Sequence, residues 1–577
     1  MNLPQFFVAG IFLAVVTALV FTRARPSLVF ATAAGVCFLG GLVPAESVLQ
    51  KAVNPGLVTL VALLLASVGL EKARWLRAFS EGLINGSLKS SLARLTAATA
   101  LSSAFLNNTA VVAALASSVK SQRRYPAAKL LLPLSYAAIL GGTLTLIGTS
   151  TNLIVNSFVL DRGLPGLDFF AFLPVGLAAT GVGLVVLMLC NRLLPDGGAV
   201  EEPVTNYLLE AEVIPDSPLD GNSVEQNNLR QLETLYLIEI VRNGQSISPV
   251  APTEVVRSGD KLIFSGDVRD LDRLQAIEGL RLFALEDKKL QLDLTEVVLT
   301  PSSSIIGETL KSCQFRTRFD AAVVAMRRGG DRLSGKLGEI ELRAGDSLLL
   351  AVGPDFKHHR NIDKNFYVIS GQQLQRQLSR RDSWLVGLGF AGVVAGAALG
   401  IFTLLKGLVV LLGGMIALKI VSTSELQRRF PFQIWLIIAS ALVLAEAFAG
   451  SGLADSLASG LRGTVAGAGP YVGLVGVFLL TLALTELMTN NAAAALAFPL
   501  AWSLAESFGV SWMPFVMAVA YGASASFLTP FGYQTNLMVQ NLGGYHLRDF
   551  FRAGLPLAIA YSITVLALLP LVFPFTP

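Results

Sequence analysis

Charged residues are scarce in this chain, which excludes a protein that is soluble over its whole length. Only 15% of the 577 residues are Asp, Glu, Lys or Arg, against about a quarter in soluble proteins. The shortage is uneven, because residues 195–382 have the composition of a soluble domain. Elsewhere, runs such as FFVAGIFLAVVTALVF approach the roughly 20 residues that cross a bilayer. We therefore predict a polytopic membrane protein with a soluble insert.

Cysteine and histidine are also rare, with three residues of each. Cys37 and Cys190 lie in apolar runs and Cys313 lies in the soluble part, so no disulfide framework or metal cluster is indicated. No nucleophile–base pair or metal-ligand cluster points to an enzyme, and we expect no cofactor. The net charge is +4, and the basic residues lie in short loops rather than in a patch suited to nucleic acid.

Apolar runs predict membrane spans on both sides of the insert. The predicted spans lie at about 5–21, 27–44, 56–70, 169–194, 384–404, 407–421 and 432–449, with a last span that ends near 575. No basic segment precedes the first run, so we expect a span there rather than a cleaved signal.

Basic residues in the loops predict the orientation in the membrane. Arg23 and Arg25 follow the first span and the basic segment 72–77 follows the third, whereas the loop around 46–51 is nearly neutral. Basic loops favour the cytoplasm. The N-terminus and the C-terminus are therefore expected outside, and residues 195–382 are expected in the cytoplasm. We expect the membrane to be the plasma (inner) membrane of a prokaryote.

Polar clusters interrupt two apolar segments in each half of the chain. In the first half they are Asn107-Asn108-Thr109 and Gly148–Asn152, and in the second half they are Thr489-Asn490-Asn491 and Gly532–Asn536. Asn108 precedes Asn152 by 44 positions, and Asn491 precedes Asn536 by 45. The similar spacing indicates one module that is used twice.

Each module is predicted to contain a re-entrant hairpin and a broken helix. The first half, 1–194, has its hairpin at about 88–118 and its broken helix at 126–160; the second half, 379–577, has them at about 470–505 and 511–541. Two consecutive asparagines in mid-membrane are costly unless they line a cavity or bind something. The alternative for the first hairpin is one long span with a polar cap. Counting crossings, the hairpins enter from opposite faces, which predicts an inverted repeat.

The soluble insert is itself doubled. VIPDSPLDG and RSGDKLIFSG recur as VLTPSSSIIG and RAGDSLLLAVG, which predicts two small α+β units at 195–290 and 291–378. Gly259-Asp260 and Gly345-Asp346 are turn signals before short strands. No GxGxxG follows a strand, so a nucleotide-binding Rossmann unit is not supported.

Broken helices in a membrane suit the binding of ions. Half-helix N-termini offer N–H donors and a partial positive charge to an anion. Unwound carbonyls and the side-chain oxygens of Asn, Thr and Ser suit a small cation. The clusters contain no Arg or Lys, so an anion would depend on amide dipoles and on a cation bound beside it. This chemistry favours coupled binding.

Three ionisable residues lie near these clusters. Glu486 lies in the second hairpin, and its counterpart in the first is the neutral Ser103, so a structural role is favoured over a proton site or cation ligand. We expect Glu446 and Lys129, near the ends of spans, at the membrane interface.

Taken together, these residues resemble the divalent-anion:sodium symporter family of the ion transporter superfamily. FLNNTAVVA, LGGTLTLIGTSTNLIVN, LTELMTNNAAAALAFP and TPFGYQTNLMVQN resemble the sulfate-permease branch, which carries two TrkA-C (RCK-C-like) domains between its halves. The resemblance covers nearly the whole chain. It implies an all-α polytopic membrane protein with inverted repeats, re-entrant hairpins and broken helices, and an inserted pair of α+β cytoplasmic TrkA-C domains.

The resemblance also implies a homodimer with an elevator-like motion, two sodium sites and one anion site. One sodium site would use Asn108 with the backbone of the first break, and the other would use Asn491 with the backbone of the second. The implied sodium residues are Asn108, Gly148, Thr149, Thr489, Asn491 and Gly532. The implied anion residues are Asn107, Thr109, Ser150, Thr151, Asn152, Asn490, Gln534, Thr535 and Asn536.

The hairpin tips depart from the pattern of dicarboxylate-transporting relatives. Those relatives carry Ser-Asn-Thr at both tips, whereas here the tips read Asn-Asn-Thr and Asn-Asn-Ala. The second tip has no hydroxyl after its Asn pair, which favours a compact oxyanion, with sulfate first, over a carboxylate. In relatives the TrkA-C domains are regulatory, which leaves open an unknown regulatory ligand or a role confined to the dimer contact.

Two alternatives to a sodium-coupled sulfate importer remain. The chain is a carrier of dicarboxylate or another anion, coupled to sodium or to protons through Glu486, or it is a sensor that reports anion occupancy to the insert. Without residues 200–378 a carrier would still transport, whereas a sensor would show no flux even when intact.

Overall fold

The computed structural model describes residues 2–22, 24–72, 83–122, 124–195, 378–453, 456 and 469–576, and much of 207–370. Within that last segment it leaves out 230–231, 233–234, 244, 248–249, 267–273, 275, 283–293, 301–302, 329–336, 353–355 and 357–361. Arg23, most of the basic segment 72–77 and the predicted boundary at 290–291 lie outside the described residues.

Helices account for both halves of the chain that flank the insert. Those before the insert are α1 (Leu3–Phe21), α2 (Pro26–Leu39), α3 (Ala45–Ala52), α4 (Pro55–Glu71), α5 (Leu88–Ser103), α6 (Asn108–Ser121), α7 (Ala128–Gly142), α8 (Ser150–Asp161) and α9 (Leu173–Cys190). Among the described helical segments, six are long and apolar enough to cross a membrane. They are Leu3–Phe21, Ala45–Glu71 (α3 together with α4), Leu173–Leu193 (α9 with the short turn that follows it), Phe432–Gly450, Gly469–Leu487 and Leu547–Val572. The predicted span at 27–44 ends early, and the expected loop at 46–51 is the amphipathic helix α3.

The insert forms one sheet, and its described strand pairs are all antiparallel. Its elements are β1 (Tyr207–Val213), β2 (Leu235–Arg242), β3 (Gln245–Ile247), β4 (Lys261–Gly266), β5 (Leu280–Leu282), β6 (Leu294–Leu299), α10 (Phe315–Phe319), β7 (Ala321–Arg327), β8 (Ser347–Val352), α11 (Ile362–Asn365) and β9 (Phe366–Ser370). The described strands follow the order β3-β2-β4-β1-β7-β8-β6-β9, with β5 also paired to β1. Strands of the two sequence units stay on separate sides, and β1 joins them by pairing with β7 through Leu208 and Met326.

Matching turns in the insert explain its repeated motifs. Arg242 binds both carboxylate oxygens of Asp260 at 2.9 and 2.8 Å, and Arg328 binds both oxygens of Asp346 at 2.7 Å. Both aspartates are 1% exposed, and each also accepts the backbone N–H three residues earlier, from Arg257 and Arg343 in turn. A bidentate Arg–carboxylate pair is geometrically specific. The Gly-Asp motif therefore corresponds to the same turn in both units, and in each unit an arginine holds that turn in place.

The second half returns to helices. They are α12 (Arg380–Ala398), α13 (Leu404–Ala417), α14 (Thr423–Arg428), α15 (Phe432–Gly450), α16 (Gly469–Leu487), α17 (Asn490–Phe508), α18 (Met513–Ser524), α19 (Gln534–Gly543) and α20 (Leu547–Val572). The helix pairs α5–α6 and α16–α17 lie where the two hairpins are predicted, and α7–α8 and α18–α19 lie where the two broken helices are predicted. The predicted interruptions are thus present as breaks between helices.

Each module packs against the other as well as within itself. Helix α7 contacts both α5 and α6, and α18 likewise contacts both α16 and α17. The second half of each broken helix crosses over, so that α8 contacts α17 and α18, and α19 contacts α6 and α7. The second helix of each break therefore lies against the other module.

Two asparagines hold the breaks in the same way. Asn152 Nδ2 donates to the carbonyls of Gly142 and Thr145 at 3.2 and 2.8 Å. Asn536 Nδ2 donates to the carbonyls of Ser526 and Thr529 at 2.9 and 3.3 Å. A helix that stops inside a protein leaves carbonyls without intrahelical partners. Asn152 and Asn536 satisfy them, which explains why both modules repeat this residue.

Candidate functional site

A cavity of about 310 Å³ lies where the two modules meet. Four helices begin at it: α6, α8, α17 and α19 each contribute residues of the first turn or the residue just before it. The opposite wall comes from α2, α4, α12 and α15. It is mostly apolar, and its residues are Pro26, Leu60, Leu63, Leu64, Phe390, Ile434 and Ile437, together with the polar Ser27, Ser67 and Gln433. No charged side chain is among the described residues that line the cavity.

The four helix starts leave backbone donors facing the cavity. Asn107 caps α6, with its Oδ1 accepting from the backbone N–H of Thr109 at 2.9 Å. The residues before α8, α17 and α19 are Thr149, Thr489 and Tyr533, each in extended conformation, and none makes a side-chain cap bond within the described structure. The first-turn N–H groups of those helices have no intrahelical acceptor, so they are available to a ligand.

The first oxygen-rich cluster surrounds Asn108. Ser103 Oγ donates to Asn108 Oδ1 at 2.5 Å, and Asn108 Nδ2 donates to the hydroxyl of Tyr533 at 2.5 Å. The backbone of the break lies close, because a Cβ added to Gly142 would stand 2.8 Å from Asn108 Nδ2, and one added to Gly148 would stand 2.5 Å from the Gly142 carbonyl oxygen. Side-chain and backbone oxygens therefore converge beside the cavity.

The second cluster repeats this arrangement around Asn490. Thr485 Oγ1 donates to Asn490 Oδ1 at 3.0 Å. Ser526 Oγ is buried and has no hydrogen-bond partner among the described residues. A Cβ on Gly532 would stand 2.1 Å from that hydroxyl and 2.5 Å from the Thr485 carbonyl oxygen. A buried hydroxyl without a partner is costly, and here it lies next to further oxygens.

These hydrogen bonds change the alignment of the two hairpins by one position. Ser103–Asn108 and Thr485–Asn490 are the same hydroxyl-to-amide pair, five residues apart in each hairpin. The structure therefore pairs Asn108 with Asn490, where the spacing in the sequence paired it with Asn491. It also makes Thr485, rather than Glu486, the counterpart of Ser103.

Most of the residues that the sequence points to do line the cavity. They are Asn107, Asn108, Thr109, Gly148, Thr149, Ser150, Thr489, Asn490, Asn491, Gly532 and Gln534. Besides the Asn108–Tyr533 hydrogen bond, other contacts join the modules there. Ser150 Oγ donates to Asn491 Oδ1 at 2.9 Å, and Thr149 Oγ1 lies 3.3 Å from the Tyr533 hydroxyl.

Four of the predicted anion residues lie behind the cavity rather than on it. Asn152 and Asn536 are 1% and 0% exposed and hold the breaks, and Thr151 and Thr535 are fully buried. Ser135 Oγ donates to Thr535 Oγ1 at 2.8 Å, whereas Thr151 Oγ1 has no partner among the described residues. On α8 and α19 the first residue lines the cavity, whereas the second and third residues are buried behind it.

Tyr533 is a site residue that sequence reasoning missed. Tyr533 directly precedes α19, as Thr149 directly precedes α8. The second module therefore has a phenol at the position where the first module has the smaller hydroxyl of Thr149. The signal was available, since Tyr533 interrupts an otherwise matching pair of motifs, GTSTN and GYQTN.

Glu486 serves the fold of the second break. Its carboxylate accepts the backbone N–H groups of Phe527 and Leu528 at 2.8 Å and of Thr529 at 2.9 Å, and also the Thr529 hydroxyl at 2.8 Å. Four donors on one carboxylate fix it as an acceptor, which agrees with the structural role expected from the sequence.

The other two ionisable residues also have structural partners. Lys129, expected at the interface, is buried at 5% exposure, and its ammonium donates to the carbonyls of Asn191 and Leu194 after α9. Glu446 lies 3.2 Å from Lys51, which also pairs with Asp161 at 2.7 Å.

Comparison with known proteins identifies the family. The sequence profile of CitMHS, the citrate transporter family, matches residues 11–522. The chain belongs to this family. Its relatives are transporters rather than enzymes, so the protein is an integral membrane transporter. The sequence resemblance to the divalent-anion:sodium symporters is confirmed at the coarser level of an ion transporter family, CitMHS, with sodium/sulfate cotransporters among the relatives.

Individual relatives cover much of the chain. An uncharacterized transporter of Synechocystis is 30% identical over 571 residues, covering 93% of this chain and 92% of the relative. A candidate sulfur deprivation response regulator of Chlamydomonas reinhardtii is 31% identical, covering 92% of this chain and 96% of its own. Sodium/sulfate cotransporter 1 of the same alga is 27% identical over 385 residues, covering 63% of this chain and 42% of its own.

Proposed function

We propose that the protein is a secondary transporter that couples the movement of sulfate, or a similar divalent oxyanion, to sodium. The observation that carries this proposal is the convergence of four helix N-termini on one uncharged cavity. A helix N-terminus favours an anion by about 0.3–1 kcal/mol, and by up to ~2 kcal/mol when it is partly buried. Four of them replace the arginine or lysine that an anion site otherwise needs.

The two oxygen-rich clusters are the proposed sodium sites. Sodium is a hard cation that takes oxygen ligands, as calcium and magnesium do. Asn108 with Ser103 and the glycine backbone supplies one set, and Asn490 with Ser526 and Gly532 supplies the other. Because Asn490 matches Asn108, we assign it to the cation rather than to the anion. Asn491 then matches Thr109 and faces the anion.

Coupling follows from the position of the clusters beside the cavity. A cation in either cluster adds positive charge next to an anion that lacks a charged protein partner, so each ion raises the affinity for the other. Such mutual effects on affinity are reciprocal by thermodynamic necessity. Sodium/sulfate cotransporters among the relatives support this pair of ions.

Citrate is the second candidate substrate. The family description names citrate, and a cavity of about 310 Å³ falls at the lower end of the range of small-molecule pockets. The missing hydroxyl at the second hairpin tip favours sulfate, since it leaves one donor fewer for the several carboxylates of citrate.

An elevator motion fits the two unlike walls of the cavity. The hairpins and breaks supply most of the polar lining, whereas α2, α4, α12 and α15 supply a mostly apolar wall against which the modules can slide. We propose that the modules form an inverted repeat and move together, that the scaffold forms a homodimer, and that the insert is a cytoplasmic pair of TrkA-C domains, with both termini outside.

Uptake into liposomes tests the proposal. Labelled sulfate is offered to purified protein in liposomes with and without an inward sodium gradient, and with citrate and succinate as competitors. We expect sodium-driven sulfate uptake that Asn108→Ala abolishes. Asn156→Ala is the matched control, because the Asn156 side chain bonds the backbone of Leu167 away from the cavity. Uptake of citrate or succinate, without any uptake of sulfate, would contradict the proposal that sulfate is the substrate.

A sensor is distinguished by flux. A relative described by its response to sulfur deprivation gives this alternative some support. Protein without residues 200–378 is expected to retain sulfate uptake if the chain is a carrier, and intact protein without any flux would favour the sensor.

A further inference from the structure

Helix α19 connects the cavity to the insert. Its first residue, Gln534, lines the cavity, and Asn541 lies in its last turn. Strands and turns of the insert contact both residues. The insert is therefore in direct contact with an element that forms part of the proposed anion site.

At the N-terminal end of α19, two hydroxyls share one amide oxygen. The phenol of Tyr367, in β9 of the insert, donates to Gln534 Oε1 at 3.3 Å. Thr109 Oγ1, at the tip of the first hairpin, donates to the same oxygen at 3.4 Å. With Oε1 occupied by two donors, Gln534 Nε2 is the amide group left to donate to an anion. Burial raises the pKa of Tyr367, so its phenol keeps its proton as a donor.

At the C-terminal end of α19, the insert makes a hydrogen bond to the backbone of the same helix. Arg327 of β7 is 7% exposed, and its Nη2 donates to the Asn541 carbonyl oxygen at 2.8 Å. A cation near a helix C-terminus is favoured by the helix dipole. The Gly345 turn lies so close that an added Cβ would stand 2.6 Å from Asn541 Nδ2.

From these contacts we infer that Tyr367 of the insert is a positioning residue of the anion site, acting through Gln534. The insert then contributes to substrate affinity directly and not only through regulation at a distance. The inference rests on the proposed function, because it takes the cavity as the place where the anion binds.

The test separates substrate affinity from maximal rate. Sulfate uptake is measured for the full-length protein, for Tyr367→Phe and Gln534→Leu, and for the double variant. We expect Tyr367→Phe to raise KM about 3- to 10-fold, as the loss of one hydrogen bond implies, with Vmax nearly unchanged. In the Gln534→Leu background the same substitution should have no further effect.

Tyr125→Phe is the matched control, because the Tyr125 phenol also makes one hydrogen bond, to the Gly86 carbonyl, away from the cavity. Its KM should equal that of the wild type. An unchanged KM in Tyr367→Phe, or an effect that multiplies with that of Gln534→Leu, would overturn the inference while leaving sulfate transport established.

If the wild type carries citrate instead of sulfate, the proposed substrate fails and the same KM comparison is made with citrate. If it carries neither, hydrogen exchange of residues 534–543 decides about the contact. Faster exchange in Tyr367→Phe and Arg327→Ala, but not in Tyr125→Phe, supports it; unchanged exchange in those two variants contradicts it.

Discussion

Asn108 and Tyr533 lie in different modules, and the side-chain amide of Asn108 donates to the hydroxyl of Tyr533 at 2.5 Å. The same hydroxyl is 3.3 Å from Thr149 Oγ1. One phenol thus joins the tip of the first hairpin to both breaks. Because Asn108 belongs to a proposed sodium site and Tyr533 lines the proposed anion site, this contact is a physical connection between the two proposed sites.

Tyr533→Phe removes that hydroxyl and keeps the ring. We expect half-maximal uptake to need about 3- to 10-fold more sodium, because Asn108 loses a hydrogen-bond partner that orients it. Sodium titrations of sulfate uptake measure the shift. Tyr471→Phe, which removes a phenol that bonds the Leu566 carbonyl on another face of the protein, serves as the control. An unchanged sodium dependence would separate Tyr533 from the cation site.

Glu486→Gln tests whether this carboxylate carries a coupling proton. The amide keeps one acceptor oxygen but directs an NH₂ group at backbone donors, so we expect a loss of stability of about 1–3 kcal/mol and uptake that still depends on sodium. Thermal unfolding and uptake under a pH gradient are the measurements. Glu506→Gln is the control, since the exposed Glu506 accepts a single bond from Trp502. Proton-driven uptake in the wild type that disappears in Glu486→Gln would contradict the structural role.

Asn152→Ala and Asn536→Ala should destabilise the protein without touching the cavity. Each substitution leaves two buried carbonyls without a donor, which costs about 1–3 kcal/mol, and Asn536→Ala also removes one of the two oxygens that lie within hydrogen-bond distance of Ser135 Oγ. The unfolding midpoint in detergent reports the change. Asn222→Ala, whose amide bonds a surface carbonyl in the insert, should leave the midpoint where it is. Variants of normal stability that lose sulfate binding would instead place these residues on the substrate.

Gly141→Ala should prevent the close packing of α5 on α7. The added Cβ would stand 2.1 Å from the Ala100 carbonyl oxygen and 2.6 Å from its Cα, and no rotamer change relieves a contact with backbone. We expect little folded protein in the membrane, because the destabilisation should exceed the ~1–3 kcal/mol that is typical of overpacking. Gly392→Ala is the control, because nothing lies within 4 Å of its added Cβ. Equal yields by fluorescence-detected gel filtration would refute the close approach.

The architecture was predictable because its signals are local. Polar residues in long apolar runs marked all four helix interruptions, and the repeated Gly-Asp turns marked the doubling of the insert. Helix α3 was not predicted, because Ala45–Ala52 is short and its apolar residues face one side only.

The arrangement of the site was less predictable because it depends on contacts between distant segments. Asn152 and Asn491 look alike in sequence, yet one is buried behind a break and the other lines the cavity. The one-position shift in the second hairpin became visible only through the Thr485–Asn490 hydrogen bond. Tyr367 and Gln534 are 167 positions apart in the sequence, and only the fold brings them together.

Equilibrium binding of labelled sulfate to the purified protein, with sodium and with choline in its place, tests the central claim most directly. If sodium in the Asn108 and Asn490 clusters makes the uncharged cavity hold an anion, sulfate should bind in sodium and hardly at all in choline. Asn490→Ala should lose that sodium dependence, and Asn156→Ala should keep it. Equal binding in sodium and in choline would contradict the account.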